Sequence, residues 1–238
     1  MRGVVVVLKT GSTLPELRAR RGDYEDWIAA GLGLARERVR VVPVHEGGEP
    51  PPPDAPAGVV VTGSSAFVSQ REPWSERAAV WLREAVASGT PVLGICYGHQ
   101  LLAHALGGRV GRNPRGREIG TVEVEILPAA RRDPLFEGLG SPLPMQATHL
   151  ESVLELPPGA RWLAASRGDP HQAFAVGRRA WGVQFHPEFD ADVIRAYLAA
   201  RREAVRAEGL DPAALEGAVR DSPAGPVLLA RFAALLAA

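Results

Sequence analysis

The chain contains a single cysteine, Cys96, in the stretch GICYGHQLL at 94–102. An apolar, strand-like run precedes it, and Gly94 and Gly98 stand two positions to either side. This is the shape of a nucleophile elbow, a strand-to-helix turn so tight that flanking Cβ atoms would collide. A helix starting at the thiol aims its free N–H groups and positive end at the sulfur, which favours the thiolate. The same amides suit an oxyanion, with the backbone N–H of Tyr97 as the first donor. A lone cysteine is equally compatible with a small buried hydrophobe, so the chemical reading needs a base.

A thiol nucleophile needs a base, and the base needs a group to orient it. Of the six histidines, His186 lies in GVQFHPEF, followed by Pro187 and Glu188. Pro187 biases His186 towards extended backbone. In extended backbone residues i and i+2 face the same side, so Glu188 can hold one ring nitrogen and leave the other for Cys96. A hydrogen-bonded surface histidine is the alternative meaning of His-Pro-Glu. His99 and His104 are five positions apart and do not share a helix face, and His45 and His171 occupy loop-like positions. No H-E-x-x-H or similar metal spacing occurs.

These residues need a scaffold. VVVVL at 4–8, RVRVVPV at 38–44, GVVVTG at 58–63 and PVLGI at 91–95 read as strands. Helices are expected over 23–31, 74–87 and from about Gly98 to Leu106, ending at Gly107-Gly108. EGGEPPPPDAPA at 46–57 reads as a surface loop. Between 117 and 185 the short alternating runs predict antiparallel strands and hairpins. Residues 190–206 read as helical, followed by two further helical pieces. The βαβ texture of the first half predicts an α/β fold: three layers, a mostly parallel open sheet with helices on both faces, a short antiparallel section and a helical C-terminal extension. Ligands of such sheets gather at the carboxyl ends of strands, and two strands stop at Gly63 and Cys96. The whole chain, 1–238, is expected to be one domain, with a core over about 1–200 and the extension over about 201–238.

Composition narrows the function. The 238 residues carry 27 Lys plus Arg against 27 Asp plus Glu, a formal net charge of zero, so no overall field draws nucleic acid or an anionic membrane. Lys9 is the only lysine, and a Schiff-base mechanism would have to use it. One cysteine excludes an intrachain disulfide and a Cys-cluster metal site, and fits a reduced, cytoplasmic setting. No apolar run is long enough for a membrane span.

Taken together, GICYGHQLLAHALGG, VTGS and GVQFHPEF resemble the class I glutamine amidotransferases, with the Cys elbow and His-Pro-Glu in the same order and 90 residues between Cys96 and His186. GICYG and GVQFHPE are especially similar to the glutaminase part of GMP synthetase. The resemblance implies that Cys96 attacks the side-chain amide of glutamine, that His186 relays the proton and that Glu188 orients it. It implies an oxyanion hole from the N–H groups of Gly63 and Tyr97, and Gln100 and His149 as substrate-binding residues. Neither a metal nor an organic cofactor is required. The family's H-x-D segment reads His149-Leu150-Glu151 here, with Glu for Asp and Leu where many members have Gly.

No acceptor domain or Walker-type loop is legible in the 50 residues after His-Pro-Glu, so ammonia is expected to pass to a separate synthetase or to none. Two other functions share these residues: a γ-glutamyl peptidase or hydrolase using the same thioester, and a non-catalytic interaction subunit. RVGRNPRGRE at 109–118, with Arg109, Arg112, Arg115 and Arg117, reads as a solvated loop, and Trp74, Trp81, Trp162 and Trp181 read as core.

Overall fold

The computed structural model describes residues 3–236, so the ends of the expected 1–238 domain and of its expected extension over about 201–238 lie outside the described residues. Among the described residues, nine strands form one sheet. In chain order they are β1 (Val5–Lys9), β2 (Val39–Pro43), β3 (Gly58–Val61), β4 (Val92–Ile95), then β6 (Glu118–Ile126), β7 (Leu143–His149), β9 (Arg161–Ala165), β10 (Ala173–Val176) and β11 (Ala180–Val183). The remaining two, β5 (Arg109–Arg112) and β8 (Glu151–Glu155), pair antiparallel beside it. The sheet order is β2-β1-β3-β4-β11-β10-β9-β6-β7.

The order from β2 to β11 is parallel, and from β11 to β7 antiparallel. Strand β11 joins the two halves: it runs antiparallel to its hairpin partner β10 and parallel to β4. The parallel half is apolar on both faces because helices cover both. Val5, Val7, Val60, Leu93 and Ile95 face one apolar layer, and Val6, Leu8, Val59, Val61 and Val92 face the other. This two-residue alternation follows from the pleat. Each fully buried Val or Leu contributes about 1.5–3 kcal/mol relative to exposure, so the paired layers fix the register of the sheet.

The helices are α1 (Pro15–Arg21), α2 (Tyr24–Leu32), α3 (Pro73–Ala87), α4 (Tyr97–Ala105), α5 (Ala191–Ala200), α6 (Arg202–Ala207), α7 (Pro212–Gly217) and α8 (Ala224–Leu235). Helices α3 and α4 bury their apolar stripes in the second layer, and α2, α5 and α8 in the first. Asp23 caps α2 through a capping box closed by Asp26. The C-terminal helix is part of this layering. Leu228, Leu229 and Phe232 are buried, and Gly31 of α2 fits against Leu229, whose Cδ1 would lie 2.3 Å from an added Cβ.

Four sequence expectations are corrected. Helix α1 has no counterpart among the expected elements. The helix expected over 190–206 breaks at Arg201, which separates α5 from α6. Of the tryptophans, Trp181 is buried and Trp162 is 42% exposed. The alternation of β9 turns Leu163 inward and Trp162 outward, where its indole N–H donates to the carbonyl of Pro170 at 2.6 Å. The arginine-rich segment at 109–118 is not a solvated loop throughout. Its first four residues form β5, and the side chain of Arg117 is 8% exposed.

Candidate active site

Three adjacent parallel strands end together. Val61 of β3 is in register with Gly94 of β4, and Ile95 of β4 with Val183 of β11. Their next residues place Gly63, Cys96 and His186 at one edge of the sheet. Two hydrogen bonds lock the convergence: Cys96 N–H donates to the Val183 carbonyl at 2.9 Å, and Gly98 N–H to the Thr62 carbonyl at 3.2 Å.

The elbow is as tight as its glycines imply. Cys96 has φ 52° and ψ −103°, a strained conformation for a residue with a side chain, and it caps the N-terminus of α4. Strain of this kind costs about 1–3 kcal/mol and persists only where the surroundings impose it. A Cβ on Gly94 would lie 2.3 Å from the carbonyl oxygen of Gly98, and one on Gly98 would lie 2.4 Å from that of Val61. Both obstacles are backbone. The glycines therefore let strand, turn and helix approach closely enough to present the thiol.

His186 sits at the parallel end of β11. Its backbone N–H donates to the carbonyl of Gln146 on β7 at 2.8 Å, which fixes the segment. Ring nitrogen Nδ1 lies 2.8 Å from Glu188 Oε1, and both side chains are buried. Phe189 stacks on the imidazole with centroids 3.9 Å apart. Nitrogen Nε2 is buried with no nitrogen or oxygen partner, leaving it to the thiol.

Burial alone would raise the Cys96 pKa, but the positive charge of His186 and its hydrogen bond to the sulfur outweigh burial and lower it. Burial alone would lower the His186 pKa, but the charges of Glu188 and of Cys96 raise it. Both shifts favour the same pairing, a thiolate beside an imidazolium. Tyr24 lies 6.2 Å from the His186 ring, and burial pushes its phenol well above the usual range, so it stays neutral. The Tyr24 hydroxyl is 2.7 Å from that of Tyr197.

Gly63 packs directly on the imidazole: an added Cβ would lie 2.9 Å from His186 Cε1. The Thr62 carbonyl accepts from Gly98 N–H and also from the Thr10 hydroxyl at 2.9 Å. In a trans peptide the N–H opposes the carbonyl, so this pair of bonds turns the Gly63 N–H away from Gly98. Tyr97 is the first residue of α4, where the N–H has no intrahelical acceptor.

Cys96 borders a cleft of about 200 Å³ that also meets Gln100, His149 and Glu151. Gln100 Nε2 donates to the Glu151 carbonyl at 2.7 Å and to Gln184 Oε1 at 2.9 Å. His149 borders the cleft, but both its ring nitrogens are engaged inside the protein, Nδ1 with the Glu151 carbonyl at 2.9 Å and Nε2 with Glu118 Oε2 at 3.0 Å. Burial works against the His149 imidazolium, and Glu118 outweighs it, so its pKa is raised. The Glu151 carboxylate reaches the backbone N–H and hydroxyl of Ser69.

Sequence reasoning missed two cleft residues, Arg117 and Arg201. Arg117 is visible in the sequence only as part of a basic run. Arg201 lies inside what reads as a continuous helix, and its side chain reaches the cleft from the break. The other histidines make local contacts: His45 with the Lys9 carbonyl, His104 with Glu76, and His171 with the Val153 carbonyl. His99 is fully buried, which pushes its pKa down to about 4. Among the described residues no group of three or more His, Cys, Asp or Glu is placed to hold a metal, and no helix is long and apolar enough to cross a membrane.

The family model "Glutamine amidotransferase class-I" matches residues 22–201. Over 184 residues the chain is 38% identical to the glutamine-hydrolyzing GMP synthase of Aeropyrum pernix, covering 77% of this chain and 32% of that protein. Over 103 residues it is 44% identical to one subunit of the glutamine-hydrolyzing GMP synthase of Thermococcus kodakarensis, covering 41% of this chain and 50% of that one. The chain's alignments span about a third of the GMP synthases of Aeropyrum pernix and Aquifex aeolicus, 32% and 33% of their lengths. A crystal structure of a glutamine amidotransferase from Thermotoga maritima superposes with a TM-score of 0.77 over 99% of both chains at 23% identity, a likeness of fold.

Proposed function

Because the chain belongs to the class I glutamine amidotransferase family, we propose that it hydrolyses the side-chain amide of glutamine through a γ-glutamyl thioester on Cys96. The Cys96 thiolate attacks the amide carbon. The oxyanion that forms is held by the N–H group of Tyr97, a donor of this kind being worth about 2.7–4 kcal/mol. Gly63, expected as the second donor, turns its N–H away from this turn while the Thr62 carbonyl accepts from Gly98. The His186 imidazolium gives its Nε2 proton to the departing nitrogen, and ammonia leaves. Neutral His186 then takes a proton from water, whose oxygen attacks the thioester carbon. Collapse of that second oxyanion expels the thiolate and frees glutamate. Glu188 holds the ring through Nδ1 in both steps.

Gln100 spends its amide nitrogen on internal acceptors. Its oxygen remains for the α-ammonium of the substrate. His149 acts on the substrate indirectly, by fixing the backbone around Glu151. Ammonia passes to a separate synthetase, as the subunit organisation of the Thermococcus kodakarensis relative suggests.

The single observation that carries this reading is the meeting of Cys96, His186 and Gly63 at the ends of three adjacent parallel strands, with Glu188 2.8 Å behind the imidazole. The test is glutamate release. Wild type should release glutamate from L-glutamine, and Cys96→Ser and His186→Asn should not while remaining folded. No release by wild type above the enzyme-free background would leave only a non-catalytic interaction subunit, and equal release by wild type and Cys96→Ser would remove Cys96 from the mechanism. Faster release from γ-glutamyl peptides than from glutamine would make the protein a γ-glutamyl peptidase.

A further inference from the structure

We propose that Arg201 is a specificity-determining residue that reads a carboxylate of the substrate, an inference that rests on the γ-glutamyl thioester reading of the cleft. The side chain is prepared for such a ligand. It projects from the break between α5 and α6 into the cleft that Cys96 borders. One terminal nitrogen donates to Thr148 Oγ1 at 2.6 Å, and the guanidinium lies 4.8 Å from the centroid of the Tyr197 ring. The Tyr197 hydroxyl is itself held by Thr13 at 2.9 Å and Tyr24 at 2.7 Å, so the platform under the guanidinium is fixed. An arginine offers five N–H donors in a planar fork, and Thr148 engages one nitrogen of it.

The charge inventory of the cleft isolates this group. The other guanidinium, Arg117, is neutralised by two bonds to Glu208 at 2.8 and 2.9 Å. The acid of the cleft, Glu151, is turned to Ser69. Among the described residues Arg201 makes no ion pair with a carboxylate. A stacked, part-buried guanidinium without a counterion is a receptor for a planar anion, and a carboxylate matches its fork with two parallel bonds. A γ-glutamyl donor supplies that anion from one of two places: the α-carboxylate of the glutamyl part, or a carboxylate on the leaving amine.

Two substrate pairs separate these sources. In the first, L-glutamine is compared with L-glutaminamide, which lacks the α-carboxylate. In the second, γ-glutamylglycine is compared with γ-glutamylglycinamide, which lacks only the leaving-group carboxylate. Binding is measured by calorimetry to the Cys96→Ser protein with Arg201 intact, as Arg201→Gln and as Arg201→Lys, so the outcome does not depend on turnover. Arg201→Gln should weaken the carboxylate member of one pair about tenfold to a hundredfold and move its amide partner less than about twofold. Arg201→Lys should fall between. Loss of L-glutamine but not L-glutaminamide, with γ-glutamylglycine and its amide weakened alike, assigns the α-carboxylate, and loss of γ-glutamylglycine alone among the four assigns the leaving group. Equal weakening of acid and amide in both pairs, no weakening at all, or no binding of any of the four compounds would overturn the proposal. Binding with the Arg201 signature but no glutamate release by wild type would contradict hydrolysis alone.

Discussion

Cys96 and Val183 share a hydrogen bond, Cys96 N–H to the Val183 carbonyl at 2.9 Å, and through it the nucleophile-bearing turn is stitched to the strand that carries the base. The bond extends the parallel ladder of β4 and β11 one residue beyond its last registered pair, Ile95 and Val183. The sheet itself therefore positions the thiol relative to the imidazole.

The elbow depends on backbone-to-backbone approach. Gly94→Ala and Gly98→Ala each drive a Cβ into a carbonyl oxygen, at 2.3 and 2.4 Å. Each should cost about 1–3 kcal/mol or more, since neither obstacle can rotate away. Gly140→Ala, where an added Cβ meets nothing within 4 Å, should be close to neutral. Urea midpoints of the three variants beside wild type check this.

The thiolate depends on His186. In wild type the folded thiol titrates below its ordinary value of 9.0, so thiolate persists into more acid solution and is lost as pH falls through the lowered value. His186 titrates above its ordinary value of 6.5, and its proton is lost only as pH rises through the raised value. Activity should thus show a bell whose limbs belong to the coupled pair. In His186→Asn burial is left unopposed by the imidazolium, and the Cys96 midpoint should move above the ordinary thiol value. Ultraviolet absorbance of the thiolate across pH reads the shift directly.

The C-terminal helix supports the base. A Cβ on Gly225, near the start of α8, would lie 2.4 Å from the Pro187 carbonyl of the His-Pro-Glu turn. Gly225→Ala should displace that turn, lowering turnover at least tenfold through misplacement of His186 and Glu188. Single-turnover rates report the effect, and circular dichroism should show the helices retained.

His149 and Glu118 form a buried pair. In His149→Leu the carboxylate keeps hydrogen bonds from Ser166 and Gln172 but loses its counterion, and about 3 kcal/mol is the expected penalty. The folded His149 pKa is raised, so the pair's charge contribution is fully present below about pH 6.5 and is lost as pH rises through the raised value. The stability gap between wild type and His149→Leu, from denaturant titrations at several pH values, should therefore narrow in alkaline solution.

The elements that sequence reading captured are those whose cause is local. Gly94 and Gly98 report a tight turn because no other residue fits there. Pro187 sets the backbone of His186, and two-residue spacing puts Glu188 on the same side. The β-branched runs of β1 and β3 announce strands covered on both faces. The rest arises from contacts between distant segments. Arg201 reaches the cleft because α5 stops, and nothing within RAYLAARREAV marks that stop. Gly225 meets Pro187 only after α8 folds back onto α2. Trp162 is apolar in composition, yet the register of β9 gives the inward position to Leu163.

The covalent step is the center of the account. Wild-type protein mixed with L-glutamine, quenched in acid within the first turnovers and digested should yield the Cys96 peptide carrying a γ-glutamyl group, sensitive to hydroxylamine and missing from Cys96→Ser. Glutamate produced at the wild-type rate with no acyl group on that peptide, or with the group on another residue, would contradict it.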